Sequence, residues 1–342
     1  MDTMHYIGFD IHKKTIAFCE KEMDGTIVDQ GTIAATRNAL SIWSKQRDCS
    51  WVGAMEATMF TGWIYDFLLP YATELKVAHP AMLKAITAAK NKNDRDDAEK
   101  IADLLRCNLL PECYMAPEGV RELRRILRFR NLMVKEATKM KTKTSGILME
   151  TGAMYNKQKL HGQKYFEELL DNLEYIPESV IELLKLCRLS VRHFTQIQKQ
   201  LVKGLIANPD ISARVKLLMT IPGIGEITAL TWVLEVGEVE RFTRIRRAIS
   251  YCGLCSAQDE SAGVNRRGPI SKKRNKHLQT VLIEAAKLAP RWSPQLAAVH
   301  DKELASGNHN SATLAVARKM VAYMLAVDKN QEAFMVMEKI VA

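Results

Sequence analysis

Two short apolar runs, Tyr6-Ile7-Gly8-Phe9 and Trp51-Val52-Gly53-Ala54-Met55, each stop at a carboxylate, Asp10 in the first case and Glu56 in the second. Runs of this length read as buried strands, and an unpaired acid directly after one is costly. Such a chain is constrained to an α/β layer with a polar site at the strands' carboxyl ends, where open sheets gather their ligands.

The segments between and after these runs fit that frame. His12-Lys13-Lys14 turns the chain into a second run, Thr15 to Glu20; a third strand follows the turn at Asp24-Gly25; a helical stretch runs from Arg37 to Gln46. Further on, Lys92-Asn93-Asp94-Arg95-Asp96-Asp97-Ala98 opens a helix with the body Ile101 to Leu105, and a spacing of three puts Asp94 and Asp97 on one face. Acids in a first helical turn also favour the macrodipole, so this pair gains meaning only beside Asp10 and Glu56. Hard oxygen ligands select magnesium, or manganese, over zinc. Two such ions about 4 Å apart can activate an attacking oxygen and stabilise a leaving one in phosphoryl transfer.

The remainder is mostly helical. Pro111 and Pro117 bracket the passage out of a first domain, residues 1–112, into a helical coiled-coil linker, 113–207, followed by a helical domain, 208–342. From Pro117, Ile126, Met133, Met140 and Ile147 recur at steps of seven, with Leu123 and Ala137 filling the stripe. A second long helix begins at Pro177, with Ser179 and Glu182 spaced as a capping box, and carries Val180, Leu184, Cys187, Val191, Phe194, Leu201 and Leu205. The two could pair with each other or with counterparts in a homo-oligomer, a dimer or tetramer.

Charge points to a polyanion. The 49 Lys and Arg outnumber 39 Asp and Glu, a net charge of +10. Along the first long helix Arg121, Arg124, Arg125, Arg128, Arg130, Lys135, Lys139, Lys141 and Lys143 oppose only Glu122 and Glu136, a stripe suited to a phosphate backbone. Seven scattered cysteines suit a reduced cytoplasm, and the single Cys252-Gly253-Leu254-Cys255 pair reads as a buried helix end, with no zinc site expected. No secretory signal is present, and the apolar stretch Ala312 to Val327 is interrupted by Arg318 and Lys319, so no membrane span is expected.

Two motifs follow in the last third. Leu217 to Glu226 contains Ile221-Pro222-Gly223-Ile224-Gly225, an apolar-Pro-Gly-apolar-Gly hairpin resembling a helix-hairpin-helix; Gly223 and Gly225 permit close approach of backbone amides to a DNA phosphate. Ser261 then sits at the mouth of a basic loop, Val264 to His277. A serine hydroxyl can attack a phosphodiester if its pKa is lowered and the phosphate neutralised, tasks within reach of a metal ion and Arg266, Arg267, Lys272, Lys273 or Arg274. Ser256 and Ser271 lie nearby, and the residues alone leave the choice open.

Taken together these segments resemble the DEDD insertion-sequence transposases, the bacterial family that also includes the Piv-type DNA invertases. Tyr6 to Lys13 looks like the family's opening strand, Met55-Glu56-Ala57-Thr58 like its glutamate motif and Lys92 to Ala98 like its Lys-Thr-Asp-x-x-Asp-Ala signature. Ile221 to Gly225, Gly253-Leu254, Glu260-Ser261-Ala262-Gly263, Arg267-Gly268 and Ser271-Lys272 follow the order of its C-terminal domain. The resemblance implies a RuvC-like, RNase H-type first domain, metal binding by Asp10, Glu56, Asp94 and Asp97, and covalent attack by Ser261. It also implies double-stranded DNA as substrate and a structured bridge RNA as guide. Ser261 lies some 165 residues beyond Asp97, so the two domains would have to meet, in one subunit or between two. Two other functions fit the same residues: a RuvC-type nuclease or junction resolvase in which water attacks, and a non-catalytic nucleic-acid-binding architectural protein.

Overall fold

Along β1 (His5–Ile11) the odd residues Ile7, Phe9 and Ile11 are buried in one apolar cluster, while Gly8 meets the backbone at Ala98, Ile101 and Ala102. This alternation comes from a computed structural model that describes residues 4–86, 93–261, 264–272 and 274–335, with the backbone alone at 258–261, 264–267 and 269. Two compact units divide at residues 118 and 119.

The first unit is a five-stranded sheet in the order β3-β2-β1-β4-β5. β2 (Thr15–Lys21) and β3 (Ile27–Ala34) run antiparallel to their neighbours, and β4 (Trp51–Glu56) and β5 (Glu74–Ala78) run parallel to β1. Between β3 and β4 lies α1 (Arg37–Lys45), whose first turn is capped by the Thr36 hydroxyl accepting from Ala39 N at 3.2 Å. Its Trp43 packs edge-on against Phe9, Phe18 and Trp51, at centroid separations of 5.3–5.8 Å. α2 (Thr61–Leu68) makes the crossover from β4 to β5, and α3 (Pro80–Ile86) follows β5. These two helices and β5 carry periodicity over too few residues to be read from sequence.

α4 (Asp94–Arg106) is capped by the Asn93 side chain, which accepts from Arg95 N at 3.1 Å, and buries Ala98, Ile101, Ala102 and Leu105. Small residues on both sides let it lie directly on β1. It is also held by Lys21 of β2, buried and bonded at 2.9 Å to both Glu99 and Asp103.

The second unit opens with α5 (Glu118–Glu150), followed by α6 (Gln163–Asp171), α7 (Glu178–Ala207), α8 (Pro209–Leu218), α9 (Glu226–Val236) and α10 (Ile245–Tyr251). A two-stranded hairpin, β6 (Ser256–Ser261) and β7 (Val264–Ile270), then precedes α11 (Lys276–Leu288), α12 (Pro294–Ser306) and α13 (His309–Asn330). The main core surrounds α9, whose Trp232 and Leu234 are fully buried, and takes in Leu127 of α5 and Leu205 of α7. A satellite cluster joins Ile147 and Leu148 of α5, Phe166 and Leu169 of α6, and Leu184 and Cys187 of α7. The two long helices thus run in opposite directions between the same two clusters.

Their details correct two expectations. Ile126 is 38% exposed, while Leu127, its neighbour, is fully buried; near its start α5 presents Val120, Leu123 and Leu127 to the main core, and the seven-residue stripe takes over only from Met133. Ser179 and Glu182 form no capping box, because Pro177 occupies the cap position and the helix has begun before Ser179. Cys252, fully buried, caps α10, as expected of a helix end. No helix among the described residues is long and apolar enough to cross a membrane.

Candidate active site

The first unit brings the sequence-predicted acids to one edge. β1 and β4 are paired in parallel up to Phe9 and Met55, so Asp10 and Glu56 come next on adjacent strands. They stand where the sheet's connections change direction, with β2 and β3 on one side and β4 and β5 on the other. Asp94 and Asp97 enter from the first turn of α4, which crosses β1.

One residue that the sequence reading used only as a turn is central. His12 Nε2 lies 3.0 Å from Asp10 Oδ2 and 3.4 Å from Asp94 Oδ1, and ligating atoms of Asp10, His12 and Asp94 fall within 4.8 Å of one another. An imidazole therefore stands among the carboxylates. A signal existed: Asp10 and His12 are two residues apart, the spacing that repeats one face of a strand. Glu56 and Asp97 fall outside that tight group; Asp97 has Lys100 Nζ at 3.4 Å.

Burial pushes the Asp10 carboxyl above its ordinary range; His12 pulls it back, and Asp94 and Asp97 add repulsion. Crowded carboxylates with one raised pKa are what a bound cation relieves, and the chemistry of the group suits a divalent ion.

The second unit carries Ser261 as the final residue of β6, its backbone paired with Val264 of β7. The expected basic loop is in its first half a hairpin: two runs separated by two residues pair along Gln258–Arg267, Asp259–Arg266 and Glu260–Asn265. Arg266 and Arg267 lie on β7, opposite Asp259 and Gln258 in register. Lys272 is exposed, and Arg274 Nη1 donates to Ser271 O at 3.0 Å. Lys92, Ala262, Gly263 and Lys273 lie outside the described residues.

Part of the predicted basic stripe is engaged within the unit. Arg128 makes a two-pronged bond to Glu235, 2.8 Å on each arm, and Arg124 Nε donates to Leu234 O at 2.7 Å. Glu235 is fully buried and also accepts from Asn275 Nδ2 at 2.8 Å. Burial works against its charge, but the Arg128 and Asn275 bonds outweigh it and hold the carboxyl below the usual range. Arg125 and Lys139 are exposed, and Arg121 is half-buried. Lys135, Lys139 and Lys143, four residues apart, border a groove of about 660 Å³ along α5. A second groove, about 820 Å³, is lined by Arg130, Lys199, Lys203, Lys216 and the start of α9 at Glu226.

Gly223 and Gly225, between α8 and α9, have different roles. Gly223 takes φ +85°, and a Cβ there would fall 2.5 Å from Ala289 Cβ; Gly225 is the N-cap of α9 with nothing within 4 Å of such an atom.

Known proteins resemble this chain over much of its length. Residues 7–152 match the profile of DEDD transposases of IS110 type, described as a transposase, and residues 215–301 match that described as the transposase IS116/IS110/IS902 family. The transposase for insertion sequence element IS1111A of Coxiella burnetii is 24% identical over 84% of this chain and 78% of its own. The transposase for insertion sequence element IS1328 of Yersinia enterocolitica is 23% identical over 78% and 80%, and the pilin gene-inverting protein of Moraxella bovis is 24% identical over 42% and 47%.

Proposed function

The chain belongs to the IS116/IS110/IS902 transposases, enzymes that cut and join DNA, and from that premise we propose a metal-assisted recombinase in which Ser261 attacks a DNA phosphodiester. The observation that carries this reading is the convergence of Asp10, His12 and Asp94 beside Glu56 at the carboxyl ends of β1 and β4. The mixed strand order, in which an antiparallel β3-β2-β1 ladder continues into parallel β4 and β5, supports an RNase H-type first domain of RuvC kind.

Asp10, Glu56, Asp94 and Asp97 would hold magnesium, with manganese as a substitute. An ion bound there would supply positive charge to a scissile phosphate and would favour an ionised serine oxygen brought to it. His12 orients the Asp10 carboxylate through its 3.0 Å contact. Ser261 Oγ attacks phosphorus, the bond from phosphorus to a deoxyribose oxygen breaks, and that oxygen takes up a proton. The phosphoserine ester conserves the linkage until another DNA hydroxyl reverses the step. Arg266, Arg267, Lys272, Lys273 and Arg274 neutralise the phosphate around it.

The backbone of double-stranded DNA would meet the amides at Gly223 and Gly225, a helix-hairpin-helix role, while exposed Arg125 and Lys139, with Arg121, form a further phosphate-binding face; Arg124 and Arg128, bonded to Leu234 and Glu235, stand behind it. α5 and α7 then serve as the coiled-coil linker of a homo-oligomer. Family resemblance adds a structured guide RNA to the partners.

Suicide DNA carrying a nick beside the cleavage site tests the nucleophile. The protein should become covalently linked to it in the presence of magnesium, and Ser261→Ala should abolish the link. Cleavage without any adduct would instead identify water as the attacking group, and salt-sensitive binding without cleavage an architectural protein.

A further inference from the structure

Three ligating atoms from three different side chains converge at the opposite end of β1. His5 Nδ1 lies 2.6 Å from Glu20 Oε1 and 3.4 Å from Cys49 Sγ, and that sulfur is 3.6 Å from the same Oε1. His5 and Glu20 are 12% and 5% exposed, and Cys49 is half-buried. The residues come from the start of β1, the end of β2 and the segment between α1 and β4, so no motif betrays them. The geometry points to a binding site for a thiophilic divalent cation of the zinc class, independent of the acids around Asp10.

The triangle is close to one face of a zinc tetrahedron. With Zn–S near 2.3 Å and Zn–N or Zn–O near 2.0–2.2 Å, ligands stand about 3.3–3.6 Å apart. Both edges that include sulfur already match. Only the nitrogen–oxygen edge must open, by roughly 0.7 Å, as the ion replaces the proton shared there. An imidazole, a thiol and a carboxylate are the borderline-soft set that favours zinc over magnesium.

The surroundings orient the set. Arg47 Nε donates to Glu20 Oε2 at 3.1 Å, leaving Oε1 for an ion. The guanidinium is itself fixed 3.6 Å from the centre of the Trp43 ring and 2.9 Å from Asp29 Oδ2. Outer partners of this kind set the direction of a ligating carboxylate. Charges balance: Glu20 and a Cys49 thiolate offset the dication, and Arg47 is offset by Asp29. On binding, the thiol proton passes to solvent, the proton shared at Nδ1 leaves for Nε2 or for solvent so that the imidazole ends neutral with its one proton on Nε2, and the freed Nδ1 lone pair faces the metal. Water would fill the fourth position on the half-exposed Cys49 side. Such a site would staple the entry of β1 to β2 and to the lead-in of β4.

Cobalt(II) is the probe that separates this site from the acids, since only a thiolate gives the near-ultraviolet charge-transfer band. The full-length protein, stripped with chelator and held in excess magnesium, should take up one cobalt per chain with that band, and zinc should displace it. Cys49→Ser should remove the band, and Cys49→Ser and His5→Gln should each weaken zinc more than about a hundredfold, beyond the loss typical of an outer-shell change. Cys113→Ser and Cys255→Ser should leave both unchanged. A wild-type protein with no thiolate band, or a band that survives Cys49→Ser, would overturn the proposal. Should Cys49→Ser fail to fold, the wild-type spectrum and His5→Gln still decide it.

Discussion

Gly8 of β1 lies against Ala98 of α4 so closely that a Cβ on Gly8 would stand 2.1 Å from the Ala98 carbonyl oxygen and 2.5 Å from Ala102 N. Both obstacles are backbone, so no rotamer change relieves them.

Gly8→Ala should therefore displace α4 as a body and carry Asp94 and Asp97 away from Asp10. We expect a loss of about 1–3 kcal/mol or more in stability, the range of overpacked cores, and a fall in DNA cleavage that added magnesium does not restore. Denaturant unfolding and a cleavage assay over a magnesium series check the two parts. A stable variant with normal magnesium dependence would show that α4 does not set the acid geometry.

Asp10→Asn separates stability from activity. The folded Asp10 carboxyl is raised above its unfolded range, so stability is greatest while it is protonated and falls as pH rises through its folded value. In metal-free buffer the variant should equal or exceed the wild type near neutral pH, by a few °C in melting temperature, with the gain vanishing toward acid pH. Cleavage should be lost throughout. Melting curves across a pH series provide the measurement.

Glu235→Gln should weaken the second unit. The substitution leaves Arg128 facing a neutral partner beside a buried position, and we expect about 3 kcal/mol, the low end for a buried pair because Arg128 is half exposed. The Glu235 carboxyl is held below its unfolded range, so its contribution is present above that range and disappears as pH falls through the folded value. The gap between wild type and variant, read by unfolding at several pH values, should narrow in acid.

The two hairpin glycines should respond oppositely. Gly223→Ala meets Ala289 and a positive φ, and should cost about 1–3 kcal/mol. Gly225→Ala has open space and should keep the fold; a several-fold loss of DNA affinity in that variant, measured at fixed salt, would mark it as a backbone contact.

What the sequence made legible was local. Apolar runs ending in Asp10 and Glu56 mark the strand ends, and the acids of Lys92 to Ala98 mark the start of α4, because each is settled within a few residues. His12 was overlooked because its role depends on a helix some eighty residues away. The Glu235–Arg128 bond joins positions 107 apart, so the basic stripe looked wholly free in sequence. From sequence Ser261 stands at the mouth of a loop, because the charges of Arg266 and Arg267 mask a strand whose partner is only two residues away. The proposal that Ser261 is the nucleophile rests on motif order, since a serine at a strand end has no periodicity of its own.

The division of β1 between two faces has a genetic consequence. Ile7, Phe9 and Ile11 are locked into the aromatic cluster, whereas Gly8, Asp10 and, beyond the strand, His12 look toward α4. A saturation library across residues 7 to 12 should sort into two phenotypes, with Gly8, pressed against α4, falling with the odd sites. Odd sites would yield chains that fail to accumulate. Asp10 and His12 would yield soluble, inert protein able to occupy its DNA and block the active copy, a dominant-negative allele.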